Sequence, residues 1–98
     1  ARQVQRRLDL VFGGEIDDPV LDGVYVMNVI PEPGGATFLV HLLIPAETDL
    51  EQAREHLEPI KGRLRAEVAE EITRRKTPFL RYMLTSAGAL QKTDRAAE

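Results

Sequence analysis

Seven basic residues lie between positions 61 and 81 of this 98-residue chain: Lys61, Arg63, Arg65, Arg74, Arg75, Lys76 and Arg81. Only Glu67, Glu70 and Glu71 oppose them, so the stretch carries a net charge of +4. Cations at this density hold phosphate oxygens through charge and through several N–H donors each. The run opens inside HLEPIKGRLR, residues 56–65, where Pro59 and Gly62 interrupt a helical pattern. Proline lacks an N–H and its ring clashes with the carbonyl four residues back. Glycine costs roughly 1 kcal/mol relative to alanine in a helix interior. A helix broken there would have a second N-terminus near residues 60–63, where free amides and the helix dipole favour an anion. Lys61, Arg63 and Arg65 stand beside that point, and Gly62 would let another backbone come close. Two plainer readings compete. The charges also suit a solvated helix face laced with i,i+4 pairs, and Pro59 also suits a bend that wraps a helix around a core.

The residues required for other chemistries are missing or badly spaced. Without cysteine there is no thiolate metal site, cysteine nucleophile or disulfide. His41 and His56 lack the H-E-x-x-H spacing of a metal site, and His41 reads as an ordinary exposed-face histidine of a strand. Asp17, Asp18 and Asp22 are close together, but Pro19 breaks any calcium-loop spacing, so Asp18-Pro19 reads as a helix stop. Gly34-Gly35 has no phosphate-loop context. Aromatic residues make up 5% of the chain, too few for an aromatic RNA platform. No nucleophile with its base and no paired carboxylates stand out, so an enzyme is not expected, nor a cofactor or metal.

The elements that position the basic run follow from hydrophobic periodicity. Val4, Leu8, Val11 and Phe12 form one helical stripe, continued by Ile16 and stopped by Asp17-Asp18-Pro19. GVYVMNVIP (residues 23–31) and ATFLVHLLIP (36–45) read as strands joined by Glu32-Pro33-Gly34-Gly35, an antiparallel hairpin. Phe38, Val40, Leu42 and Ile44 give the second strand one wholly apolar face. Thr48-Asp49-Leu50-Glu51 fits a capping box with Thr48 as the cap. From Leu50, apolar residues recur through Ala53, Leu57, Ile60, Leu64, Val68 and Ile72 without loss of phase across Pro59 and Gly62. The unbroken phase predicts helix, kink and helix, about residues 49–59 and 61–73. FLRYMLT (79–85) is a third strand.

The order is α-β-β-α-α-β, an α+β domain with helices packed on one face of a three-stranded sheet. One domain over residues 1–85 and a flexible C-terminal tail over 86–98 are expected. The chain opens inside an apparent helix, so sequence preceding Ala1 is expected. The overall charge is −3, but residues 1–60 carry −7, which leaves the molecule electrically polarised. No apolar run approaches the ~18 residues of a membrane span and no signal peptide is visible, so a soluble cytoplasmic protein is expected.

Together the element order and three short motifs resemble the bacterial ribosome-binding factor A family over about residues 2–85. EIDDPVL (15–21) is similar to the family's E-I-x-D-P-x-L, and RKTPFLRY (75–82) to its x-x-x-x-P-x-L-x-F. Residues 60–65 look like its Ala-x-Gly kink followed by a basic helix, with Ile60 in the place of the alanine and Gly62 kept. Phe79 stands where a glutamate is common. The resemblance implies a type II KH-like α-β-β-α-kink-α-β domain, the kink replacing the G-x-x-G loop of K-homology (KH) domains. It implies a non-enzymatic assembly factor that binds the small (30S) ribosomal subunit and assists 16S rRNA maturation, with an assembly GTPase as a candidate further partner. The residues expected to contact RNA are Lys61, Gly62, Arg63, Arg65, Arg74, Arg75 and Lys76. A monomer is expected. The alternative is a protein-interaction module or homodimer that uses Leu39, Leu43 and Met27 or Met83 on the outer sheet face, without RNA binding.

Overall fold

The computed structural model describes residues 2–72 and 76–89. Helix α1 spans Arg2–Leu10 and runs on into a π-helical turn, Val11–Glu15. The Ile16 N–H reaches the Val11 carbonyl at 3.1 Å, an i→i+5 bond. The wider turn lets Val11 and Phe12 both face inward, and each is buried together with Val4 and Leu8. The helical segment therefore stops where Asp17-Asp18-Pro19 predicts.

Strands β1 (Tyr25–Pro31) and β2 (Thr37–Ile44) pair antiparallel. Gly34 and Gly35 turn the chain between them at φ +92° and +73°, values open to glycine but costly for residues with a Cβ. A β-bulge between Val26 and Asn28 shifts the register of β1. It lets Val26 and Val29, an odd number of residues apart, both point into the core. β1 lies at one edge of the sheet, and α1 blunts that edge. The Asp9 carboxylate accepts from the Val26 N–H at 3.3 Å, and the Gln5 amide donates to the Met27 carbonyl at 3.0 Å.

Helix α2 (Leu50–Leu57) is capped by Asp49, whose Oδ1 accepts from the Glu51 N–H at 3.3 Å. The cap falls one residue after the expected Thr48, whose own N–H closes a turn onto the Pro45 carbonyl. A 3₁₀ turn, Glu58–Ile60, then leads into α3 (Lys61–Glu71). Strand β3 (Phe79–Ser86) returns parallel to β2, giving the order β1-β2-β3 in a mixed sheet. Parallel neighbours need a long crossover, and α2 with α3 supplies it. The Phe79 N–H donates to the Ala36 carbonyl at 2.9 Å and seats the start of β3 beside the hairpin turn.

The core is a single cluster between sheet and helices. Phe38, Val40, Leu42 and Ile44 are all buried, as are Ala53, Leu57, Leu64 and Val68 of the crossover helices. Ile60, Ile72, Leu80, Tyr82 and Leu84 pack around it. The fold is the expected α+β arrangement, with its helices on one face of a three-stranded sheet. Ser86 still pairs with Ile44 and residues 87–89 are helical, so ordered chain extends past residue 85. The rest of the expected flexible tail lies outside the described residues. Among those described, no helix is long and apolar enough to cross a membrane.

Candidate nucleic-acid interface

At the kink the backbone stays hydrogen-bonded. The Glu58 N–H donates to the Arg54 carbonyl and the Lys61 N–H to the Glu58 carbonyl. The interruption is a tightened turn, and the first amide of α3 is already engaged. Gly62 has negative φ, and a methyl group added there would meet no atom within 4 Å. Neither turn geometry nor crowding requires glycine at this position.

The helix sorts the basic residues by side. At about 100° per residue, Lys61 and Arg65 share one flank of the core stripe formed by Leu64 and Val68. Both reach over aromatic rings of β3. The Lys61 ammonium lies 5.6 Å from the Tyr82 ring centroid, and the Arg65 guanidinium lies 4.6 Å from that of Phe79. Burial pushes the Tyr82 phenol above its ordinary range. Arg65 and Lys76 line one cleft, and Arg54 and Lys61 line a second, against Tyr82 and Leu84. Arg54, Lys61 and Arg65 therefore form a stripe at i, i+7 and i+11, which Lys76 extends across the entry to β3. The acid on this stripe is Glu58, 2.8 Å from Lys61, an exposed pair of little energetic weight.

Arg63 lies elsewhere. Its guanidinium donates to the Glu15 carbonyl at 3.1 Å and to the Glu15 carboxylate at 3.0 Å, tying α3 to the end of the first helical segment. Arg74 and Arg75 lie outside the described residues. The sequence reading missed Arg54, whose seven-residue spacing to Lys61 was the available signal. It also missed the pairing of Asp18 with His56. Asp18 Oδ1 accepts from the Val20 N–H at 3.0 Å and Oδ2 lies 2.7 Å from His56 Nδ1, so EIDDPVL builds a turn latched to α2. Among the described residues no group of three His, Asp or Glu side chains could hold a metal ion. His41 hydrogen-bonds Thr85 Oγ1 at 2.8 Å on the outer sheet face.

The α-β-β-α-kink-α-β order on a three-stranded mixed sheet is a KH-like fold. Two comparisons carry this to a family. A curated ribosome-binding factor A from Rubrobacter xylanophilus is 34% identical over 87 residues, which cover 83% of this chain and 70% of that protein. The crystal structure of ribosome-binding factor A from Thermus thermophilus superposes with a TM-score of 0.73 at 24% identity, over 85% of this chain and 88% of that one. No family model matches the chain. The chain belongs to the ribosome-binding factor A family.

Proposed function

We propose that the protein is a ribosome assembly factor that binds the small (30S) ribosomal subunit in the cytoplasm and assists 16S rRNA maturation without catalysing a reaction. The observation that carries this reading, beside family membership, is the stripe of Arg54, Lys61, Arg65 and Lys76 along β3. These side chains would contact phosphates, with Gly62 admitting a backbone at the kink. Arg74 and Arg75 belong to the proposed contact set by their place in the basic run. Arg63, with its guanidinium on Glu15, would contribute field more than contact. The protein would act as a monomer, and an assembly GTPase is a candidate for releasing it.

Co-sedimentation with small subunits at low and moderate salt tests the proposal. Association should fall steeply as salt rises, because each neutralised phosphate releases counterions. Lys61→Glu combined with Arg65→Glu should abolish it while leaving the circular dichroism spectrum intact. Absence of the wild-type protein from the subunit fraction at both salt concentrations would refute the reading.

A protein-interaction surface on the outer sheet face, without RNA binding, is the second reading. Tyr25, Ile30 and Met83 expose 52, 48 and 51% of their surface on the outer sheet face, beside half-buried Leu39 and Leu43. A protein partner on that face would be insensitive to the charge reversals.

A further inference from the structure

Where the β1–β2 turn, α3 and the chain entering β3 meet, they enclose an open cleft of about 520 Å³. That lies within the roughly 300–1,000 Å³ typical of small-ligand sites. Gly35, Ala66 and Ala69 keep its walls low, and Arg65 and Lys76 bring two cations into it. Among the described residues no carboxylate lines it. Phe79 stands at its mouth, 62% exposed, the most exposed large apolar side chain among the described residues. The ring is flanked by the Arg65 guanidinium, which is itself held by a 3.0 Å hydrogen bond from Nη2 to the Thr77 carbonyl.

These features call for a ligand with both an anionic and a flat π-bonded part. Two cations without an acid want an anion. An exposed phenyl ring beside an anchored planar cation wants a flat partner that covers it and excludes water. A nucleotide has both parts, and in single-stranded RNA the base is free to leave its neighbours and stack on a side chain. We propose that this cleft receives one unpaired nucleotide of single-stranded RNA, its base stacked on Phe79 and its phosphate held by Arg65 and Lys76.

The proposal rests on the reading that the protein binds RNA and adds that it reads an unpaired position. Duplex RNA, with its bases stacked inside, can reach the two cations but not the ring. Phe79 therefore sets the preference for single strands, and the cations set the affinity common to both forms.

The test uses the full chain and a single-stranded oligoribonucleotide of about eight nucleotides. The same oligomer with abasic positions and a duplex of equal length serve as controls. Phe79→Leu keeps an apolar side chain at an exposed position and removes the stack. It should weaken single-strand binding about ten- to a hundredfold and leave the salt slope unchanged. Phe79→Tyr should restore affinity, and the abasic and duplex probes should bind wild type and Phe79→Leu alike. Arg65→Gln and Lys76→Gln should each reduce the salt slope by about 0.7 for a single strand. Equal single-strand affinity of wild type and Phe79→Leu overturns the subsite, even where co-sedimentation with small subunits persists and the broader reading stands. So does a loss that is as large on the duplex. If Phe79→Leu loses the subunit but keeps the oligonucleotide, Phe79 is a protein contact and the proposal fails. Failure of wild type to bind both subunit and RNA overturns both readings.

Discussion

Asp18 shows how one motif residue does structural work. Its carboxyl is held below the ordinary aspartate range, first by the hydrogen bond to His56 and further by the Val20 N–H, against the opposing effect of desolvation. A carboxyl with a depressed folded pKa stabilises the fold above its unfolded value near 3.8, and that contribution is lost as pH falls through the folded value. Asp18→Asn keeps an oxygen to accept from Val20 and removes the charge. Its melting temperature should lie a few degrees below wild type at pH 7, and the gap should close as pH falls from about 5 towards 2. A gap that stays constant with pH would show that the charge contributes nothing. The sequence marked Asp18-Pro19 as a helix stop, and the stop is there. The partner, 38 residues away in α2, was invisible because proximity in space leaves no periodic trace in the chain.

At the scale of elements, the kink between α2 and α3 keeps both helices on one core. The apolar stripe keeps phase because Ile60, Leu64 and Val68 all meet the core that Ala53 and Leu57 meet. Pro59 needs only a tightened turn for this, and Gly62 needs nothing that alanine could not supply. Gly62→Ala should therefore stabilise the fold by up to about 1 kcal/mol, raising the melting temperature by a few degrees. If glycine serves close approach of an RNA backbone, the same substitution should weaken co-sedimentation with small subunits. A variant both more stable and fully competent would remove Gly62 from the contact set. Element order, hairpin and kink were legible because each is written in a short stretch by periodicity, proline and glycine. The β-bulge was written more faintly, in the odd spacing from Val26 to Val29. The cap moved from Thr48 to Asp49 because Thr48 is drawn into the turn on Pro45.

At the scale of the whole fold, the charges of α3 are sorted by side. The core stripe of α3 has Lys61 and Arg65 on one flank and Glu67 and Glu71 on the other. The acidic flank meets α1, where Arg7 holds Glu67 at 2.9 Å, Glu70 at 2.6 Å and Glu71 at 3.5 Å. These contacts, the hydrogen bond to Glu67 foremost, raise the Arg7 pKa. Arg7→Ala should leave three neighbouring carboxylates uncompensated and lower the melting temperature by several degrees in dilute buffer. The loss should shrink near 1 M salt, where the screening length is about 3 Å. An undiminished loss at high salt would point to packing of the arginine stem instead. Arg7 ties the acidic flank to α1, while Lys61 and Arg65 on the opposite flank reach the rings of β3.

The sequence by itself determined the elements, their order, the phase of the core stripe, the kink and the presence of a basic run, because each depends on residues a few positions apart. Only the tertiary structure decided where the described cations lie and what they pair with. It placed Arg63 on Glu15 and Arg7 on the α3 glutamates, brought Arg54 into line with Lys61 and Arg65, and set Phe79 against Arg65 at the mouth of a cleft with Lys76. Charge acts through space, and its partners are chosen when helices and strands pack.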